Sequence, residues 1–320
     1  MLELFIFAFL NFAPTTAWDN PLPQNRALLS LINPAPVPEQ KQNTQRPALL
    51  DEKKVAIWVM DLQSGKMLFS KDPYRPQPIA SLTKIMTFLI IYEDLDLEDV
   101  VTVAKKATIT EGAQIDLYEN EQLTVKTLLE AILIPSANDA ARALAIHHSG
   151  SEEAFVEEMN KRAKTWDLRT AQFYNSTGLD LYKAPKGEVL ETGEEAATLP
   201  NLAEGTWYGN QMSAYELARL TQKALRIPFF ANTVAKEEFF GTSVDEAFAH
   251  SKKSTNQLLG SFLGSRGVKT GFTNLAGQCL IHLSQREDGV QILSVVLGSP
   301  DRFQETKNIL TWIWDGFVWR

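Results

Sequence analysis

The sequence predicts an α+β protein: an antiparallel sheet flanked by helices, with an inserted all-helical subdomain. Two observations carry this. Strand-like runs stand at both ends of the chain, at residues 55–60 and 66–70 and again at 267–272, 277–283 and 291–297. Helical periodicity fills 123–134, 138–147, 152–163 and 214–225 between them. Strands joined by short turns pair antiparallel, so a sheet built from both chain ends must enclose the helical middle.

The run VAIWVM, the turn Asp61-Leu62-Gln63-Ser64-Gly65 and the run KMLFS read as a hairpin. After Pro73, Pro76 and Pro78, a helix is expected to start near Ala80 and Ser81. Ile85, Met86, Phe88, Leu89, Ile91 and Tyr92 cover most of its circumference, which marks a buried central helix. Residues 95–225 read as mainly helical, broken by a glycine- and acid-rich stretch, 180–210, taken as a long surface insertion. The closing helix carries Phe303, Leu310, Ile313 and Phe317 on one stripe. Trp312, Trp314 and Trp319 read as packing residues, because Asp315 and a scarcity of cations argue against a membrane-surface helix.

Ahead of a folded body assigned to 51–320, residues 2–12 form an apolar run too short to span a bilayer comfortably. Small residues up to Ala17 follow, so 1–17 reads as a secretory signal or a retained N-terminal anchor, with Glu3 where a cation is expected. Residues 18–50 contain Pro21, Pro23, Pro34, Pro36, Pro38 and Pro47 and read as a linker or wrapping arm.

Composition narrows the function. Of 320 residues, 31 are Lys or Arg against 39 Asp or Glu, a net charge of −8, which disfavours nucleic acid and anionic lipid as partners. Cys279 is the one cysteine, so neither an intrachain disulfide nor a thiolate metal cluster is available. His147, His148, His250 and His282 fall in no metal-ligand spacing, and neither a metal nor another cofactor is expected.

Three short strings bear chemistry. In Ser81-Leu82-Thr83-Lys84 the serine and lysine are three apart and share a helical face. A serine hydroxyl needs a base to become a nucleophile, and a lysine serves once burial and a nearby cation lower its pKa. The unpaired N–H groups of a first helical turn can also support a developing oxyanion. Ser136-Ala137-Asn138 lies on a turn between helices, and Lys269-Thr270-Gly271 lies in a strand. Glycine weakens a strand but lets another backbone come close, and an edge strand can take a substrate peptide as an added strand. Alone, each string has an ordinary structural reading as a cap, a turn or an edge lysine. Ser254-Thr255-Asn256 repeats the second form and is read as a bystander.

Together and in this order, the three strings are the signature of penicillin-binding proteins and serine β-lactamases. The chain resembles the low-molecular-weight penicillin-binding proteins that are D-alanyl-D-alanine carboxypeptidases, serine peptidase family S11. The likeness extends through residues 79–87, 133–141, 173–179 and 267–273, and over roughly 54–317. The resemblance implies a β-lactamase/DD-peptidase-like fold and an acyl-enzyme on Ser81, with Lys84 taking its proton. It implies that Ser136 relays a proton to the leaving amine from between Lys84 and Lys269, and that Asn138 holds the substrate amide. Lys269 and Thr270 would bind the terminal carboxylate, with Gly271 alongside. The oxyanion would sit between the N–H groups of Ser81 and Phe272, and Arg302 would meet the carboxylate. Implied partners are peptidoglycan stem peptides ending in D-Ala-D-Ala and, as covalent inhibitors, β-lactams, in an extracytoplasmic setting that leaves membrane association open.

The β-rich domain and amphipathic anchor that follow in many relatives are not expected in a chain reaching only Arg320. Single-domain relatives include endopeptidases that cut D-alanyl cross-links, which is the alternative reading. A β-lactamase is less favoured: no Glu-x-x-Leu-Asn string occurs, although Glu188, Glu191, Glu194 and Glu195 lie in the insertion. A binding module without catalysis would not require Ser81.

Overall fold

A computed structural model describes residues 36–41, 46–49, 54–183, 189–192, 205–262 and 264–320. The expected signal, 1–17, lies outside the described residues, as does much of the proline-rich stretch. Part of that stretch forms β1 (Pro38–Gln40). All six residues of β2 (Ala56–Asp61) are buried, because this strand is covered on both faces. Asp61 Oδ1 accepts from Ser64 N at 2.7 Å, and Gly65 takes a positive φ of 72°, turning the chain into β3 (Met67–Lys71).

A two-residue β4 (Gln77–Pro78) leads to a 3-10 turn over Ala80–Thr83 and then α1 (Lys84–Asp94). A helix thus begins at Ala80, as expected, but as a 3-10 turn that becomes α-helical only at Lys84, and Ala80 itself has φ 47°. α1 is buried from Lys84 through Ile91. Next, β5 (Val100–Thr102), α2 (Lys105–Thr108) and β6 (Gln122–Thr124) precede α3 (Val125–Leu133). Pairing of β5 with β6 takes Leu123 and Thr124 out of the helix expected at 123–134. α4 (Asn138–Ser149) ends at Gly150, φ 80°, and α5 (Glu152–Thr165) starts on the Ser151 cap, whose side chain accepts from Ala154 N.

Within the stretch read as a surface insertion, the described residues form a three-stranded antiparallel sheet of β7 (Asp180–Lys183), β8 (Val189–Thr192) and β9 (Thr206–Tyr208), ordered β8–β7–β9. Asp180, Leu181 and Tyr182 are buried, so its root belongs to the body. The side chains of Glu188, Glu191, Glu194 and Glu195 lie outside the described set. β10 (Gln211–Met212) pairs with β4 and leads to α6 (Ala214–Leu225) and α7 (Pro228–Val234). A hairpin of β11 (Glu238–Thr242) and β12 (Ala249–Lys253) precedes β13 (Ser265–Thr273), β14 (Gly277–Gln285) and β15 (Gln291–Ser299). α8 (Arg302–Gly316) and β16 (Phe317–Trp319) close the chain, and β16 pairs with β1.

The main sheet is antiparallel in the order β13–β14–β15–β2–β3, so strands from both chain ends meet at β15–β2 and β13 is an edge. Alternate β2 residues serve opposite faces. Ile57 and Val59 pack with Ile309, Leu310 and Ile313 of α8, whereas Trp58 meets Tyr215 of α6 with ring centroids 5.0 Å apart. Trp312, Trp314 and Trp319 pack against this buried cluster between the sheet and α8, and Trp319 Nε1 donates to Asp61 Oδ2 at 3.0 Å. Among the described residues, no helix is long and apolar enough to cross a membrane.

Ile309→Ala would leave a cavity under α8, where Ile309 is fully buried. The expected cost is about 2–5 kcal/mol, read as a lower urea midpoint at unchanged slope.

Candidate active site

The 3-10 turn sets Ser81 at the mouth of a cavity of about 160 Å³, also lined by Ser136, Asn138, Thr270, Phe272 and Arg302. Lys84 begins α1 directly behind it. Lys84 Nζ lies 3.0 Å from Ser81 Oγ, 2.6 Å from Asn138 Oδ1 and 2.7 Å from the Thr177 carbonyl oxygen. Three acceptors thus surround one fully buried amine.

The second wall comes from the turn between α3 and α4. Ser136 has φ 68°, held while Ala137 N donates to Ala131 O and Asn138 N to Ala113 O. Asn138 Nδ2 donates to Glu111 O at 2.7 Å, so this side chain orients Lys84 and the 111–113 segment as well as facing the cavity. Ser136 Oγ is buried and makes no hydrogen bond among the described residues.

The third wall is the edge strand β13. A Cβ on Gly271 would stand 3.0 Å from Ile79 O and 3.2 Å from Ser81 N, so glycine lets this strand lie against the serine turn. Lys269 is buried, and its Nζ donates to Thr270 O at 3.1 Å. Thr270 Oγ1 lies 2.5 Å from Thr255 Oγ1. Thr255 also lines the cavity, while Ser254 Oγ and Asn256 Oδ1 accept from the backbone N–H groups of Asn256 and Leu258 as ordinary turn caps. Phe272 is 41% exposed at the cavity mouth. Arg302, at the start of α8, donates from a terminal guanidinium nitrogen to Gly271 O at 2.8 Å.

Burial lowers the Lys84 pKa from 10.5 to about 7, against the upward pull of Asp139 and Glu152. Of the two causes expected from the sequence, burial and a nearby cation, burial is the one that lowers this lysine. Lys269 is held well below its ordinary value, first by burial and then by the positive charges of Lys84 and Arg302. Asp139 is pushed up by burial, although Ile115, Leu117 and Ala140 donate backbone N–H groups to it.

Sequence reasoning assigned no role to the loop at 173–179. Besides Thr177 O, it supplies Gly178, where φ is 89° and a Cβ would stand 2.0 Å from Ala80 O. Asn210 knots this loop to the serine turn: its Nδ2 donates to Thr83 Oγ1 and Asn175 O, and its backbone carbonyl accepts from Ile79 N. The glycine after Asn175-Ser176-Thr177 was the available signal.

The fold is that of the DD-peptidases. The crystal structure of the Streptomyces K15 DD-transpeptidase superposes with TM-score 0.70 at 23% identity, covering 85% of this chain and 99% of that one. A D-alanyl-D-alanine carboxypeptidase from Mycobacterium tuberculosis H37Rv gives 0.70 at 23% identity, over 87% and 96%. A family model described as D-alanyl-D-alanine carboxypeptidase, Peptidase S11, matches residues 41–301, and the chain belongs to that family. The carboxypeptidase DacF of Bacillus subtilis is 32% identical over 277 residues, 85% of this chain and 64% of the relative's length. A D-alanyl-D-alanine endopeptidase of Escherichia coli is 26% identical over 81% of this chain and 77% of its own.

Gly178→Ala would drive a methyl group into the Ala80 carbonyl at a positive φ, which no side-chain rotation relieves. We expect a loss of more than about 2 kcal/mol of stability by denaturant titration.

Proposed function

We propose that the chain is a serine-type D-alanyl-D-alanine carboxypeptidase that removes the terminal D-alanine of peptidoglycan stem peptides. The observation that carries this is the Lys84 amine, desolvated and 3.0 Å from the Ser81 hydroxyl at the cavity mouth. Family membership supports the substrate class.

In this reading neutral Lys84 takes the Ser81 proton as Oγ attacks the penultimate D-alanyl carbonyl. The N–H groups of Ser81 and Phe272 receive the oxyanion. The peptide C–N bond breaks, the departing amine gains a proton through Ser136, and an ester on Ser81 remains for water to hydrolyse. A rotation of the Ser136 hydroxyl supplies the relay. The Thr270 hydroxyl and the Arg302 guanidinium line the end of the cavity that takes the terminal carboxylate, with Lys269 buried behind them, Asn138 lies beside the substrate amide, and Gly271 lets the peptide run along β13. A β-lactam would acylate the same serine. The substrate lies outside the cytoplasmic membrane, so we assign 1–17 as the export signal or anchor, 18–50 as a linker whose end pairs with β16, and 51–320 as the catalytic domain.

A second reading, a DD-endopeptidase acting on cross-links, is favoured by the Escherichia coli relative, of which the chain covers 77%. Release of free D-alanine from a pentapeptide supports the first reading. Cleavage of dimeric muropeptides with pentapeptide monomers left intact supports the second.

Penicillin should add its mass to the native chain and not to Ser81→Ala, and Lys84→Ala should lower the acylation rate by roughly 10²- to 10⁴-fold. Because the neutral amine is the base and its pKa is about 7, acylation should fall about tenfold per pH unit well below 7 and level off above it. A rate independent of pH from 5 to 9 would contradict this.

A further inference from the structure

We propose that Glu152, at the start of α5, is a positioning residue: through Ser176 it fixes the Thr177 carbonyl that receives the Lys84 amine, and so keeps that amine on Ser81. A glutamate in a first helical turn ordinarily faces solvent and complements the helix dipole. Here the side chain is 17% exposed and points at the 173–179 loop. One carboxylate oxygen accepts from Ser176 N at 2.9 Å and from Ser176 Oγ at 2.5 Å. The other accepts from Arg142 Nε at 2.7 Å, and Arg142 donates in turn to Ile109 O and Thr110 Oγ1.

The consequence appears one residue further on. Ser176 O accepts from Thr87 Oγ1 on α1 at 2.8 Å, and Thr177 O accepts from Lys84 Nζ one turn earlier on the same helix. The loop is thus clamped between α1 and the Glu152–Arg142 pair, and the clamp sets where the third acceptor of the amine stands. The link is reciprocal in charge. Glu152 and Asp139, from α5 and α4, favour the charged form of Lys84, while burial opposes it. Lys269 on β13 is the facing cation, coupled to Lys84, and Arg142 is paired to Glu152. Removing the Glu152 charge should therefore misplace the acceptor and also let Lys84 lose its proton at lower pH.

The inference rests on the reading of Ser81 and Lys84 given above. The test is the rate of Ser81 acylation by a fluorescent penicillin from pH 5 to 9, for the native chain, Glu152→Gln, Glu152→Asp and Ser176→Ala. Glu152→Gln should lower the plateau roughly tenfold and shift the acid limb down by about half a pH unit. Glu152→Asp should return the limb toward its native position, and Ser176→Ala should lower the plateau with the limb unmoved. A folded Glu152→Gln with the native profile, or with a lower plateau and an unmoved limb, overturns the proposal. If Glu152→Gln does not fold, a native plateau in Ser176→Ala overturns it and a lowered one supports it. A native chain that forms no adduct on Ser81 removes the underlying reading, and this inference with it, whereas with an acylating native chain the variants report on Glu152 alone.

Discussion

A lysine amine held out of water is the constraint around which this molecule is arranged. Lys84 is fully buried at the head of a buried helix, and lowering its pKa from 10.5 to about 7 corresponds to on the order of 5 kcal/mol against the charged form. Such a group persists in a core only if its polar atoms are satisfied. Its three acceptors come from three segments: the serine turn, the start of α4 and the 173–179 loop. The packing that removes water from the amine also brings the serine hydroxyl to it.

The backbone around that amine tolerates little change. Gly178 and Gly271 both lie against the serine turn, where a side chain would collide with Ala80 O or crowd Ile79 O and Ser81 N. Ala80 and Ser136 take positive φ values that an isolated chain would avoid, each at a cost of about 1–3 kcal/mol. The surrounding hydrogen bonds, from Ile79 N to Asn210 O and from Asn138 N to Ala113 O, hold these conformations. The main sheet makes the arrangement possible: the β15–β2 pairing joins the two chain ends and sets the edge strand β13 beside the turn.

Much of this was legible in the sequence, where local pattern and tertiary packing agree. The hairpin at 56–71, the buried helix after Ser81, α6 and the strands β13, β14 and β15 follow from period and turn chemistry. Gly271 read correctly as a close approach of backbones. What stayed hidden depends on distant partners. Thr177 is 93 residues from the lysine it receives, and Asn210 is 127 residues from Thr83. The 3-10 character of residues 80–83 was not legible, since a positive φ at Ala80 is not signalled by its residue type. Leu123 and Thr124 fit a helical pattern but pair with β5, since a three-residue strand has no period of its own. α7 and the β11–β12 hairpin left no clear signal, in part because Phe240 faces solvent.

The most direct measurement is the titration of Lys84 itself, by NMR of the protein carrying ¹³C at lysine Cε, with its resonance assigned by loss in Lys84→Met. A transition near pH 7 is expected. A Lys84 resonance that stays in the ammonium form to pH 10 would contradict the assignment of this lysine as the base, because a permanently charged amine cannot take the serine proton.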